Sequence, residues 1–234
     1  MSSDSKGKTM DAYQDFLNWF NLTTTDLKHS ESSRKPFFGI SYPRLKEYSK
    51  VIIKGSLYDF LNSNQFEVYE LEIIQTYLIG SIKDINLALH YFESFAPHAK
   101  EWSVVDSLTQ RFVIAKKYPS EVFKLIRTNA AIDDEFYQRI AAVLLLSHYL
   151  NDETIDQSID ILISLKHQGY YTKMAVAWAF TSIMCKYPSK CLVVLNEHHL
   201  DPWTHNKAIS KMIDSFQIDE QHKLHLKELR RKLL

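Results

Sequence analysis

Apolar residues recur at spacings of three and four along nearly the whole chain, which is the pattern of helices with one buried face. Only 5 glycines and 6 prolines are available for turns, so the composition also favours helix over a turn-rich β fold. The predicted fold class is therefore all-α. The spacing predicts helices over Asp11–Asn21, Tyr42–Lys54, Leu57–Asn62, Glu67–Ile82, Ile85–Phe95, Trp102–Lys117, Ser120–Arg127, Glu135–Tyr149, Asp152–His167, Tyr171–Lys186, Ser189–Glu197, Thr204–Ser215 and Glu220–Lys232.

Two proline positions mark an internal repeat. Pro119 and Pro188 each follow a tyrosine within the same four residues, Lys-Tyr-Pro-Ser. The residue before a proline is driven out of helical geometry, while proline itself suits the first turn of a helix. Each Tyr-Pro step should therefore end one helix and begin the next at equivalent places in two units.

The repeat extends along the chain with a period of about 34 residues, the range of helix-pair repeats. Stacked pairs bury each other's apolar sides, which predicts an α-solenoid whose concave face is lined by one helix from every pair. Small residues would let these inner helices approach closely. The aligned segments begin at Val68, Trp102, Tyr137, Tyr171 and Trp203, and the small residues are Ala141, Ala142, Ala175, Ala177 and Ala179.

Composition limits the partners and the compartment. Residues 1–10 read as a disordered leader and 11–234 as a single repeat domain. The 28 basic and 28 acidic residues cancel, so any nucleic-acid binding must come from a local patch. Cys185 and Cys191 are too few for a disulfide framework, which favours a reducing, cytoplasmic compartment. No run of about 18 apolar residues suggests a membrane span, and we expect a monomer.

The chain carries none of the common catalytic signatures, such as a phosphate-binding loop or a nucleophile elbow. His198 and His199 are adjacent and point in different directions on a helix, so they read as solvated surface. No metal or other cofactor is expected. Trp102 and Asp106, in contrast, are four residues apart and share one helical face. Asp106 lies between Val105 and Leu108, and a carboxylate among apolar residues needs either a hydrogen-bond or charge partner or a functional role.

Arg139 and Lys173 occupy matching positions in the next two repeats, and Trp178 follows Lys173. In a regular stack, these side chains would converge with the Trp102–Asp106 pair on one cleft. A structural reading stays open beside the functional one. Aromatic residues at helical spacing are usually core, and Arg139 has acidic residues nearby, at Asp133 and Glu135, with which it could pair.

These residues resemble the signatures of the HEAT-like DNA alkylation-repair glycosylases, the AlkD-like proteins. The likeness runs from about Phe37 to the C-terminus and rests on the order and spacing of several motifs. The motifs are Phe38 to Pro43, Trp102 to Asp106, Tyr137 to Arg139, Lys173 to Ala179 and Thr204 to Ile209. The resemblance implies a curved, right-handed solenoid of HEAT-like repeats that binds double-stranded DNA on its concave face.

The resemblance also implies the excision of positively charged N3- or N7-alkylpurines by cleavage of the N-glycosidic bond. Asp106 matches the catalytic carboxylate, and Trp102 and Trp178 match the aromatic pair beside the sugar of the damaged nucleotide. Arg139 matches an arginine that contacts the DNA backbone. Beside the resemblance, phosphate contacts from Lys173, Lys207 and Lys211 would add the local basic patch that the neutral total requires, while a solvated surface role stays open for each lysine.

The chain departs from the family pattern before Phe37. Typical members carry two N-terminal helices, the second of which contacts the groove of damaged DNA. Here the stretch from Thr23 to Ser33 is short and polar and reads as a loop. Two alternatives to a glycosylase therefore remain: a non-catalytic module that binds DNA or RNA of unusual shape, and a protein-interaction solenoid.

Overall fold

The computed structural model describes residues 11–30, 35–63 and 66–232. Within these ranges the protein contains thirteen α-helices and no β-strand, which confirms the all-helical prediction. The predicted leader, residues 1–10, lies outside the described residues. The helices are α1 (Ala12–Phe20), α2 (Tyr42–Gly55), α3 (Leu57–Asn62), α4 (Tyr69–Ser81), α5 (Ile85–Phe95), α6 (Trp102–Arg111), α7 (Pro119–Ala131), α8 (Glu135–His148), α9 (Ile155–Ser164), α10 (Tyr170–Lys186), α11 (Pro188–Asn196), α12 (Pro202–Asp214) and α13 (Glu220–Glu228).

Several helices begin after an aspartate whose side chain accepts a hydrogen bond from an N–H of the first turn. Asp84, for example, precedes α5, and its carboxylate accepts a hydrogen bond from the Leu87 N–H at 2.9 Å. Pro119 and Pro188 are the first residues of α7 and α11, as the two Tyr-Pro steps predict. Aspartates likewise cap α1, α8, α12 and α13, at Asp11, Asp134, Asp201 and Asp219.

The chain divides after Phe112 into two compact units. In the first unit, α4 packs between α2 and α6, and these three helices are called the first row. In the second unit, α10 packs between α8 and α12, and these helices are called the second row. The remaining helices of the second unit each contact a row helix or α7. All five alanines predicted to allow close approach of helices are buried in the second row.

The helix predicted over Trp102–Lys117 is wrong in its second half. The α-helix α6 ends at Arg111, and Val113–Lys116 forms a separate 3-10 helix. Between them Phe112 turns into the core, where its ring centroid lies 4.8 Å from that of Phe92. Gly80 lies against the end of α6, and a Cβ there would be 2.7 Å from the Arg111 carbonyl oxygen. The helix therefore stops where its backbone meets a neighbouring helix.

The described part of the segment between α1 and α2 holds only a short 3-10 helix, Thr24–Asp26. This agrees with the predicted lack of a second N-terminal α-helix; residues 31–34 lie outside the described residues. The segment is tied to the first row by Glu70 of α4, whose carboxylate accepts backbone N–H bonds from residues 38–40 at 2.9, 2.7 and 3.2 Å. Gly39 adopts a φ of +82°, a left-handed conformation that glycine tolerates.

The chain after α13 docks back on α12. The imidazole Nε2 of His205 donates to the Leu229 carbonyl at 2.8 Å. The side-chain amide of Asn206 donates to the Arg231 carbonyl at 2.7 Å and accepts from the Arg231 N–H at 2.9 Å. These bonds hold residues 229–231 in a non-helical path, so α13 ends at Glu228, earlier than the predicted Lys232.

Candidate nucleic-acid interface

Helix α6 presents the predicted tryptophan and carboxylate one turn apart. Trp102 is the first residue of the helix and is 49% exposed, whereas Asp106 is only 8% exposed. The carboxylate therefore lies at the edge of the core beside an open indole. In such a setting the field of a charge is screened less than in water, which strengthens its effect on a nearby cation.

A chain of hydroxyl groups lies along the N-terminal ends of the first row. The Tyr42 and Tyr69 hydroxyls are 2.7 Å apart, and the Tyr69 hydroxyl donates to Ser103 Oγ at 3.0 Å. Partial burial, reinforced by the hydrogen bond to Tyr69, raises the pKa of Tyr42 above its ordinary value, although the residue as a whole is 40% exposed. The phenol is therefore neutral, and the chain joins all three row helices beside Trp102.

A second polar contact joins α4 to α6 further along. Ser107 Oγ and Thr76 Oγ1 are 2.6 Å apart, and Arg111 Nη1 donates to Ser107 Oγ at 2.7 Å. The Arg111 guanidinium lies 3.9 Å from the centroid of the Tyr77 ring, a cation–π arrangement. The first row thus carries a positive charge that remains half-buried.

In the second row, Arg139 connects α8 to the start of α10. The side chain is 5% exposed, and Nη1 donates to the Tyr171 carbonyl at 2.8 Å. Glu135 accepts from the Tyr171 N–H at 2.6 Å, and Thr172 Oγ1 donates to the Glu135 carbonyl at 2.7 Å. Gly169 permits this approach, since a Cβ there would lie 2.5 Å from the Glu135 carboxyl group. The first turn of α10 is therefore held by α8 at the N–H and carbonyl of Tyr171 and at the hydroxyl of Thr172.

The other predicted residues of the second unit are more accessible. Trp178 is 37% exposed in the middle of α10, between two buried alanines. Lys173 Nζ lies 3.4 Å from the Asp201 carboxylate. Burial of Asp201 opposes ionisation, but hydrogen bonds from Thr204 and the charge of Lys173 outweigh it and lower the pKa of this carboxyl. Lys207 and Lys211 are partly exposed and four residues apart on α12, on one face as predicted.

The predicted site residues thus fall into two sets, one in each compact unit. Trp102 and Asp106 share α6, while Arg139 bonds the backbone two residues before Lys173 on α10. The convergence of all five side chains on one cleft stays a prediction. Among the described residues, no cluster of histidine, cysteine and carboxylate side chains suits a metal ion. Within the same ranges, no helix has the length and apolar character needed to cross a bilayer.

Three residues of these surfaces were missed by the sequence reasoning. Tyr42 begins α2 and Tyr170 begins α10, and both are exposed. An aromatic residue at or next to the start of each row helix was a usable signal, since the aligned repeats already contained Tyr69, Trp102 and Trp203. Arg111 had a weaker signal in its four-residue spacing from Ser107, but its contact with the Tyr77 ring depends on tertiary packing.

Comparison with known proteins identifies the family. The family model for the DNA alkylation repair enzyme matches residues 2–212, which is most of the chain. No significant match was found among curated proteins or among solved structures. The matched range includes Trp102, Asp106, Arg139 and Trp178, and it extends through both rows. The chain therefore belongs to the DNA alkylation repair enzyme family.

Proposed function

We propose that this protein is a monofunctional DNA glycosylase that hydrolyses the N-glycosidic bond of cationic N3- or N7-alkylpurines in double-stranded DNA. The observation that carries the proposal is the pair on α6, where the nearly buried Asp106 carboxylate lies one turn from the exposed Trp102 indole. Membership in a DNA alkylation repair family supports it, since such lesions are the products of DNA alkylation.

The chemistry needs little more than electrostatic stabilisation. When the bond between C1′ of the sugar and the purine nitrogen breaks, the electron pair moves to the base and neutralises its positive charge. The sugar then carries the developing positive charge, which the carboxylate of Asp106 would stabilise. Water adds through its oxygen to C1′ and releases a proton. Asp106 would position this water, and the indole faces of Trp102 and Trp178 would favour the cationic transition state.

The basic residues of the second unit would bind the DNA backbone. Arg139 is proposed to contact the damaged strand, with its guanidinium oriented by the bond to the Tyr171 carbonyl. Lys173, Lys207 and Lys211 would contact further phosphates. These contacts provide affinity without sequence preference, which suits a protein that must find lesions in any sequence. We keep a cytoplasmic monomer as the prediction for the protein's state in the cell.

Base release tests the proposal directly. The full-length protein is incubated with a duplex that contains 7-methylguanine, and the free base is quantified by chromatography. Asp106→Asn should lower the rate at least about a hundredfold, as expected when a preorganised charge is removed from a transition state. Asp160→Asn removes the same charge from the exposed surface of α9 and should leave the rate unchanged. Equal rates for wild type and Asp106→Asn would end the proposal.

A second candidate is a non-catalytic module that binds nucleic acid of unusual shape. The observation that favours it is the short 3-10 helix Thr24–Asp26, which stands where typical relatives carry a groove-contacting helix. This candidate predicts salt-dependent binding to branched duplexes with no base release from either lesion, N3-methyladenine or 7-methylguanine. Release of either base above the Asp106→Asn background would exclude it.

A further inference from the structure

We propose that the ring of Tyr170, which Trp203 meets edge to face, is a stacking platform for an unpaired nucleobase of DNA, with Lys173 placed for the adjoining phosphate. The proposal rests on the proposed function only in taking DNA as the ligand, and it adds the form of DNA that is bound. None of its steps requires a base to be cut.

The rings of Tyr170 and Trp203 meet edge to face at the start of neighbouring helices. Tyr170 is the first residue of α10 and is 55% exposed, and Trp203 is the second residue of α12. Their ring centroids are 5.8 Å apart with an interplanar angle of 65°. Tyr170 also meets Tyr171 edge to face, at 79°. Neither neighbour stacks in parallel on the Tyr170 ring, so a parallel stacking position remains for a planar ligand.

The backbone that carries Tyr170 is held firmly. The next residue, Tyr171, donates its N–H to Glu135 at 2.6 Å and accepts at its carbonyl from Arg139 at 2.8 Å. Both partners belong to α8, which packs along α10. An exposed ring on a fixed backbone loses little freedom when a ligand stacks on it, so more of the stacking energy appears as affinity.

Charge beside the platform favours a nucleotide over an apolar partner. Lys173 Nζ lies 5.8 Å from the centroid of the Trp203 ring. It also lines a small cleft with Lys166, His167 and His199, in which Asp201 is the acidic side chain. The cleft has a volume of ≈ 40 Å³, so it accepts phosphate oxygens or a few waters but excludes a base. A base would therefore rest outside, on the exposed ring, while its phosphate faces Lys166 and Lys173, the second of which also pairs with Asp201.

Binding to undamaged DNA tests the platform. The affinity of the full-length protein is measured by fluorescence anisotropy for two labelled duplexes of equal length. One duplex is fully paired, and the other carries a single bulged 2-aminopurine. Tyr170→Ala should weaken binding of the bulged duplex about tenfold, as expected for the loss of one base–aromatic stack, and change binding of the paired duplex less than about twofold. Tyr170→Phe keeps the ring and should bind like wild type.

Phe216→Ala is the matched control, since Phe216 is a fully exposed aromatic residue of the same unit. It should leave both affinities unchanged. Stacking should also quench 2-aminopurine fluorescence in wild type but not in Tyr170→Ala. The proposal is overturned if Tyr170→Ala weakens both duplexes equally, if it weakens neither, or if wild type binds neither duplex. Because both duplexes are undamaged, a failure to release alkylated bases would not change these results.

Discussion

The two compact units bury ionisable side chains of different kinds, acids in one and basic side chains in the other. Among the described residues, the buried acids Glu70, Glu72 and Asp106 all lie in the first unit. The buried arginine, Arg139, and the buried histidines, His148 and His205, all lie in the second. Because each buried charge or polar ring must be compensated locally, the two units need different partners. The proposed function uses the same division, with the carboxylate of Asp106 in the first unit and the phosphate contact of Arg139 in the second.

The hydrogen-bond partners of these buried side chains also differ between the two units. In the first unit, N–H groups and an ammonium serve the acids: Glu70 accepts three backbone N–H bonds, and Lys35 Nζ lies 2.6 Å from Glu72 Oε1. In the second unit, backbone carbonyls accept from Arg139 and His205. Glu70, Glu72 and His205 thereby each tie a connecting segment to a row helix, whereas Arg139 ties α8 to α10. The pH dependence of stability should differ in sign between the units.

The largest expected effect comes from Glu72. Burial, opposed in part by Lys35, raises the pKa of Glu72 to about 7. The folded protein therefore holds this proton up to about pH 7, whereas the unfolded chain releases it near the ordinary value of 4.5. Stability should fall as pH rises between these values, by roughly 3 kcal/mol from this group.

Glu72→Gln should remove that slope, because glutamine does not titrate. Urea unfolding at several pH values between 4.5 and 8 measures the free energy of unfolding of both proteins. Glu47→Gln serves as the control, since Glu47 is an exposed glutamate on α2. Parallel curves for wild type and Glu72→Gln would show that the buried carboxyl does not govern the pH dependence.

His205 should produce a smaller effect of opposite sign. Burial lowers the pKa of His205, although the hydrogen bond to the Leu229 carbonyl acts against this. The imidazole is thus neutral when folded, while the unfolded chain takes up a proton below the ordinary value of 6.5. Stability from this group is present above pH 6.5 and is lost as pH falls through the lowered pKa.

His205→Asn should cost about 1 kcal/mol at pH 7.5, from one weakened buried hydrogen bond, and should reduce the loss of stability on acidification. Thermal unfolding between pH 5 and 7.5 reports both changes. His90→Asn, at an exposed position of α5, should change neither. An acid-induced loss as large in His205→Asn as in wild type would show that His205 does not contribute to the acid sensitivity.

Arg139 should give the smallest effect. Arg139→Gln removes one proposed phosphate contact, so affinity for duplex DNA should fall roughly threefold to fivefold, and the dependence of log affinity on log salt should flatten by about one unit. Lys190→Gln removes a charge from the same unit but from α11, where Lys190 pairs with Asp156. If the salt dependence of affinity is unchanged in Arg139→Gln, then Arg139 has a structural role and does not contact a phosphate.

Much of the helical framework could be predicted from the sequence because its signals are local. The observed bounds of α3 and α5 coincide with the predicted ranges, and Pro119 and Pro188 begin helices as their steric limits require. The shared face of Trp102 and Asp106 follows from a spacing of four residues alone. Features of the helices could therefore be predicted where their physical cause lies within one turn of the helix.

Tertiary contacts explain what the sequence did not reveal. Apolar spacing continues through Phe112, so the end of α6 becomes visible only from the packing of Phe112 on Phe92 and of Arg111 on Gly80. The hydrogen bond from Lys35 to Glu72 joins residues 37 positions apart. The burial of Asp106 likewise depends on neighbouring helices, and no spacing in the sequence reports it.

The docking of residues 229–231 bears on how the protein is handled in the laboratory. Cleavage after Glu228 would leave the buried imidazole of His205 and the amide of Asn206 without their carbonyl partners. Both residues immediately precede Lys207 on α12. An affinity tag at the C-terminus therefore needs a spacer long enough to leave this segment seated, or measured DNA affinities will reflect a loosened α12.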